Sequence, residues 1–373
     1  MSALNHLRIW EVASTAAVGF AGLVLAQLGA RVESLHPPEG HPLRAEPPFI
    51  DGRSALELYL TAGKEIRALP RGEALDELAK VNLILVDQPQ LDPGWRDTLE
   101  ALPVPDRGRA VVTCTPYGLK GPKQGWKGSE LTLFQGGGEG YLTPSGLAYD
   151  LFPNRPPTGV GRYLAHYQGG LTVALCALAA LRLSRRAGAT QWADVSIQAA
   201  QLSLNYMVIS RYVDGALEQR ANRAFTYGGV IPCIDGFVEI VPIEQHQWEA
   251  LRAMLGEPEW TRDQKFETGM DRAKNGKEIN RHLIEWAGQR TVAAVIAAAR
   301  KHDVPCGAFN MLELLPELEQ LRFRGYFVQG QTQGGGRTLF PGPPWIFDRW
   351  DKAGRPQRML ELPDPVRSTG LGR

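Results

Sequence analysis

The stretch from Leu7 to Leu35 constrains the fold most. Leu7 to Ala13 is a short apolar run with Trp10 and β-branched residues, the pattern of a buried strand. Small residues follow at Ser14–Ala17. An apolar-periodic stretch then runs from Val18 to Leu28 and is closed by Gly29, a residue suited to the turn at a helix end. Arg31 to Leu35 alternates and reads as a second strand. Strand, helix, glycine, strand is one βαβ unit, and such a crossover makes the two strands parallel.

Further elements continue the theme. Residues 73–80 and 94–101 are helical in pattern, and Val81–Val86 and Ala110–Cys114 read as buried strands. Tyr163 to Arg185 is the strongest helix, rich in Ala and Leu, with Gly188 as its stop. Trp192–Ile197 is a strand, and Gln198–Tyr212 a further helix. The pattern changes near Arg220. Ile231–Ile240 reads as a hairpin turning at Asp235-Gly236, followed by helical segments at 247–255 and 277–302. The expected architecture is α/β: a Rossmann-like large domain over 1–220, a smaller α+β domain over 225–325, and a C-terminal segment, 326–373, without periodicity, that returns to the large domain. Glycine is frequent, 41 of 373 residues, which is about 11% against a usual value of roughly 7%. The excess gathers mainly in 115–170 and 325–342, where backbone turns and close approaches are implied.

Charge and cysteine usage narrow the function classes. Lys+Arg 41 against Asp+Glu 40 leaves +1. A nucleic-acid-coating protein or a polybasic membrane binder needs a basic field that this balance lacks. The four cysteines (Cys114, Cys176, Cys233, Cys306) form no CxxC and no zinc-type spacing with histidine. The first residues lack a basic start with a long apolar core, and the longest apolar stretch, Leu171–Leu181, is short for a membrane span. These features point to a cytoplasmic protein that binds neither nucleic acid nor membrane and holds no metal.

No phosphate loop of the GxxxxGK[ST] type, no HExxH and no GxSxG occurs. Among seven histidines, His166 stands apart. It lies where a glycine-rich loop enters the long apolar helix, so it meets the partial positive charge of a helix start. That environment keeps an imidazole neutral, which suits a base or a hydrogen-bonding polariser, and a satisfied structural side chain is the other reading. Arg44 follows the second strand, in the kind of loop where α/β folds bind ligands. It is either a phosphate ligand or a solvated loop arginine. Gly136, Gly137 and Gly138 form either a flexible turn or a backbone surface for a ligand.

Several segments, in order, resemble the family III CoA-transferases, the group of formyl-CoA transferase, carnitine CoA-transferase and α-methylacyl-CoA racemase. They are Leu25–Ala30 with Arg31-Val32, then Pro38, Gly40 and Arg44, Gly63-Lys64, Tyr117-Gly118 with Gly121-Pro122, Ala177–Leu181 with Gly188 and Gln191–Ser196, Asp235–Val238, and Val304–Ala308. The resemblance implies a large Rossmann-like domain with a smaller α+β domain, in an interlocked homodimer. It implies coenzyme A or an acyl-CoA as substrate, held near Arg44 and Lys64, with no tightly bound cofactor. In the transferases of this family an aspartate carries the acyl group and then the CoA as a thioester, work only a carboxyl can do.

Here His166 stands where that aspartate belongs. Thr61-Ala62 replaces Asn-Arg before Gly63-Lys64, Ser34 and His36 replace a Lys and a Glu, and Ser129 lies near the racemase's second base. Glu244 matches a glutamate that orients a base in the racemase. Three readings follow. A transferase would use a displaced carboxylate, with Glu130 as candidate. An epimerase or isomerase would use His166 to take the proton α to the thioester, Glu244 to tune it, and amides of Gly136–Gly138 to hold the enolate oxygen. A catalytically degenerate subunit would bind CoA or a partner only.

Overall fold

The computed structural model describes residues 3–69, 75–87, 93–143, 154, 156, 159, 161–205, 227–331, 337–347 and 360–361. They fall into two compact units. The first takes those of 1–139, 159–206 and 316–373, and the second those of 140–158 and 207–315.

The first unit is built on a six-stranded sheet. Its strands are β1 (Arg8–Val12), β2 (Arg31–His36), β3 (Glu65–Ala68), β4 (Leu83–Val86), β5 (Ala110–Thr115) and β6 (Gln191–Ser196). Every pairing is parallel, in the order β3-β2-β1-β4-β5-β6. β1 is flanked on both sides, with Ile9 opposite Val32 and Leu83. All residues of β4 and β5 are buried, as expected of strands covered on both faces. The chain order reverses between β1 and β4, and the crevice beyond their carboxyl ends is where such sheets take ligands.

One face of the sheet packs on α1 (Ala16–Gln27) and on the long helix α3 (Leu164–Ala187). Close packing of these two helices depends on Gly170, where a Cβ would overlap the Ala17 carbonyl oxygen. Gly169 faces Ile197, the first residue of α4 (Ile197–Leu202), with 3.0 Å between a built Cβ and Cγ1. The other face packs Trp10, Leu35, Ile84, Leu99 and Val111. With 24 residues α3 is long and apolar enough to cross a membrane, and half of its most apolar window is buried in the fold. β10 (Phe327–Gln331) and β11 (Arg337–Pro341) form an antiparallel hairpin whose Phe340 packs on Leu58. This part of the tail therefore has strand structure where no periodicity was expected: Val328 and Phe340 are its buried apolar side chains, and the third inward position is Gly330, which adds no apolar signal.

The second unit holds the expected hairpin, β7 (Gly229–Cys233) with β8 (Gly236–Ile240), and adds β9 (Cys306–Ala308) along β8. Its core gathers Trp248 from α5 (Gln245–Leu255), Ile279 and Leu283 from α6 (Gly276–Ala287), and Val295 from α7 (Val292–His302). The single stretch expected over 277–302 is thus two helices. Gly288 closes the first, and the Thr291 side chain accepts from the Ala294 N–H to start the second. Similarly, α4 stops at Leu202, and the rest of the stretch read as helix to Tyr212 lies outside the described residues beyond Asn205.

Candidate functional site at the head of the long helix

The long helix α3 starts abruptly. Its N-cap, Tyr163, has φ 63° and offers no side-chain cap. The first turn therefore leaves orphan N–H groups. Glu130 supplies the missing acceptor from a distant segment. It opens the short helix α2 (Glu130–Gly136), which Ser129 caps through the Thr132 N–H. Glu130 Oε1 accepts from the Ala165 N–H at 2.7 Å, and Oε2 from the His166 N–H at 3.1 Å. Oε2 also lies 2.6 Å from His166 Nδ1. Burial alone would push the Glu130 pKa up, but the His166 bond and the two N–H bonds outweigh it and hold the carboxyl below its usual range. The carboxylate stays ionised and accepts a hydrogen bond from Nδ1–H. The opposite ring nitrogen, Nε2, carries no hydrogen bond among the described residues.

This pair lines a cavity of about 600 Å³ that also takes in Ser14, Leu43, Glu46 and Phe134. The His166 side chain is only 7% exposed and that of Glu130 21%, so the pair lies largely out of water. One wall is the turn after β1. There Asp87, buried at the end of β4, accepts from the Ser14 N–H and Ser14 Oγ at 2.7 Å each, and from the Thr15 N–H at 2.5 Å. A carboxylate thus occupies the start of α1, the place where dinucleotide-binding sheets seat a phosphate. Two anions would exclude each other, which accounts physically for the missing glycine fingerprint.

The other residues singled out by sequence lie as follows. Lys64 is inside the fold. Its ammonium contacts Glu11 Oε2 at 2.5 Å and the Gly19 carbonyl at 2.8 Å, and neither charged side chain is exposed. Burial pushes Glu11 up and Lys64 down, while their mutual contact opposes both shifts. Ser34 Oγ donates to Glu11 Oε1 at 2.9 Å and lies 3.1 Å from His36 Nε2, so both departures on β2 join this buried relay. Arg44 sits exposed on the turn Pro42–Ala45, with its side chain against Gly40. The Gly137 N–H donates to Leu133 O and the Gly138 N–H to Gln135 O, which leaves neither amide for an enolate oxygen. The run instead ends the helix that carries Glu130, and a Cβ at Gly137 would overlap Gln201. Glu244 belongs to the second unit, where it caps α5 together with Gln247.

Sequence reasoning set Glu244 beside His166 and kept Glu130 for a separate reading, whereas the side chain in contact with His166 is Glu130; it did not single out Glu46, Arg162, Tyr163 or Asp87. Tyr163 lay inside the glycine-rich segment, and only its left-handed backbone marks it as special. Asp87 carried a usable signal, an acid directly after a buried strand.

A parallel sheet with this switch point, and a His166–Glu130 pair at a helix start beside a cavity, define an α/β domain of the doubly wound kind. The chain belongs to CoA-transferase family III, whose family model matches residues 4–358. It is similar to a probable CoA-transferase of Mycobacterium tuberculosis, 26% identical over 363 residues, which cover 87% of this chain but 45% of that protein. It is 25% identical to a succinyl-CoA–D-citramalate CoA-transferase of Chloroflexus aurantiacus over 82% of this chain and 77% of that one. The fold matches a CAIB/BAIF family protein from Brucella suis, with TM-score 0.79, 22% identity, and coverage of 98% and 95%.

Proposed function

We propose that this chain acts on a CoA thioester and moves the proton at the carbon α to the thioester carbonyl, with His166 as the base and Glu130 as the group that orients it. The observation that carries this reading is the 2.6 Å contact between Glu130 Oε2 and His166 Nδ1, made by a carboxylate already bonded to two helix N–H groups. Acylating Glu130 would remove its charge and three hydrogen bonds at once, so it is poorly suited to carry an acyl group. An imidazole whose Nδ1–H is fixed by a carboxylate is well suited to accept a proton at Nε2. Burial favours the same chemistry, since proton transfer to carbon needs a base that is not blocked by water.

Arg44, exposed just past the end of β2, is the cation left to meet the phosphates of CoA, because Lys64 is committed to Glu11. The enolate oxygen needs donors other than the amides of Gly137 and Gly138. The protein is further read as a cytoplasmic homodimer that takes acyl-CoA as substrate and keeps no resident cofactor. Exposed leucines on α3, such as Leu175 at 72%, support a partner chain there. Light scattering at micromolar concentration should give twice the monomer mass.

The test is α-carbon exchange of acyl-CoAs in heavy water, followed by mass spectrometry. Exchange is expected in the wild-type protein, with a loss of about 100-fold or more in His166→Ala. A CoA or acyl adduct on Glu130, trapped by hydroxylamine, would replace this reading by covalent transfer.

A further inference from the structure

A second cavity, of about 440 Å³, lies wholly within the second unit. One wall is α5, which turns Trp248 and Arg252 to the same side, since residues four apart share a helix face. The other wall is the turn that follows α5, with Arg262, Asp263 and Glu267. The Arg272 guanidinium lies over the Trp248 ring, 5.0 Å from its centroid, and Arg272 is 1% exposed. It donates to Gln245 Oε1 at 2.8 Å and to the carbonyls of Phe266 and Glu267 at 3.0 and 2.9 Å. No carboxylate meets it among the described residues, so its positive charge is not cancelled at the base of the cavity.

Two further guanidinium groups converge here. Arg252 Nη2 lies 3.7 Å and Arg262 Nη2 3.4 Å from one and the same oxygen, Oε2 of Glu257. Arg252 is also held from a second side, because its Nε donates to Thr261 Oγ1 at 3.4 Å and that hydroxyl donates to the Pro258 carbonyl at 2.7 Å. Glu257 reaches the two arginines through an uncommon backbone. Gly256 and Glu257 both have positive φ, 85° and 51°, and the Glu257 N–H closes back on the Arg252 carbonyl at 2.9 Å. A left-handed conformation costs free energy in any residue with a Cβ, so this carboxylate is held in place against a local preference. The ion pairs themselves are weak, since the side chains of Glu257 and Arg262 are 51% and 65% exposed, and another anion exchanges with them at little cost. Of the acids on the cavity wall, Asp263 is engaged by the Lys265 N–H at 3.1 Å and the Lys265 ammonium at 3.4 Å. Glu267 is exposed, and its carboxylate has no hydrogen-bond partner among the described residues.

We propose that this cavity binds a small phosphate ester, with Arg252 and Arg262 holding the phosphate and Glu267 accepting from hydroxyl groups at the ester's other end. In the free protein Glu257 serves as a substitute anion on the two arginines. A single carboxylate brings one negative charge to two guanidinium groups, with the Arg272 charge below them, so a dianion matches the site better than a second monoanion does. A phosphate also offers several oxygens and accepts from both forks at once, where Glu257 now offers both of them one oxygen. The volume exceeds what a phosphate alone fills and lies in the range of small-molecule sites, roughly 300–1,000 Å³. This site is independent of the reading of His166.

The test titrates the full chain with glycerol 3-phosphate and with inorganic phosphate at constant ionic strength. Calorimetry gives the affinity, and tryptophan fluorescence reports on the cavity, which Trp248 lines. Glycerol 3-phosphate is expected to bind with a dissociation constant below about 1 mM, and about fivefold or more tighter than inorganic phosphate. Arg262→Gln, at an exposed position outside the core, should weaken the ester by about tenfold or more. Glu257→Gln should strengthen it by about fivefold, the scale of one exposed ion pair removed from competition. Glu267→Ala should abolish the preference for the ester over inorganic phosphate. Arg44→Gln should change nothing, which separates this site from phosphate binding in the first unit. No saturable binding, binding unchanged in Arg262→Gln, binding lost in Arg44→Gln, or weaker binding in Glu257→Gln would each overturn the site. Equal affinity of wild-type protein for the two probes would overturn the ester and put an inorganic oxyanion in its place.

Discussion

At the residue scale, Glu130 caps α3 and contacts His166 through the same two oxygens, which under the proposed function joins a structural duty to a chemical one. Glu130→Gln separates them. The amide keeps one acceptor oxygen, so part of the cap survives, but the charge that fixes the His166 proton is gone. Activity should fall by about 100-fold or more. Thermal unfolding should report a loss of about 1 kcal/mol, the scale of a helix cap. A large stability loss with unchanged activity would make Glu130 a cap and nothing more. Gly22 carries a second prediction. A Cβ there would overlap the Glu11 carboxylate and come within 3.0 Å of the Lys64 ammonium. Gly22→Ala should therefore break a fully buried ion pair and cost about 3 kcal/mol or more, measured by chemical denaturation. Lys64→Met should cost as much, because it leaves Glu11 buried without a counter-charge. Adding Glu11→Gln to Lys64→Met should recover much of that loss.

At the scale of elements, the crossing of α1 with α3 sets where His166 comes to lie. Gly170 stands one turn beyond His166, and its missing side chain lets Ala17 and Phe20 of α1 approach the α3 backbone. Gly170→Ala should cost about 1–3 kcal/mol by overpacking. It should also slow exchange at carbon α, since α1 and the head of α3 line the same cavity. Unchanged kinetics beside a lowered melting point would separate packing from positioning. Much at this scale was legible in the sequence. Strands β1, β4 and β5 lie in short apolar runs between turn residues, β2 alternates, and α3 is long, periodic and closed by Gly188. The break between α6 and α7 was not legible from periodicity, because both helices put apolar residues on the same core and only Gly288 and Thr291 mark the gap. The candidate site was legible only in part. His166 and Glu130 are 36 residues apart, and the resemblance set Glu244 rather than Glu130 beside His166. Glu46 and Asp87 make their contacts across the unit, which no local pattern encodes. Lys64 illustrates the reverse case, since a lysine in a glycine-flanked loop reads as a surface cation and folds inward only because Glu11 awaits it.

For the whole molecule, the buried relay beside β1 makes stability depend on pH. His36 and His41 are 3% and 2% exposed, and their rings meet edge-on at 4.8 Å. Burial first, and then the Lys64 and Arg53 charges, lower the His36 pKa to about 4. For His41, burial followed by His36 and Lys64 lowers it to about 3. In the unfolded chain both rings titrate near 6.5. Between that value and about pH 4 the unfolded state binds protons that the folded state refuses. Stability contributed by these rings is therefore present above pH 6.5 and falls as the solution is acidified. From pH 7 to pH 5 the loss is about 2 kcal/mol for each ring. Glu11 and Asp87, which burial pushes up, act in the opposite direction, so the total curve mixes both effects. A variant isolates the ring, because the carboxylates are common to both proteins. His36→Gln keeps a side-chain N–H for Ser34 Oγ and cannot titrate. Urea denaturation of both proteins at pH 7 and pH 5 should show a pH-dependent loss about 2 kcal/mol smaller in the variant. Equal losses would mean that His36 already carries its proton in the folded state, and that the relay through Ser34 to Glu11 holds an ionised ring rather than a neutral one.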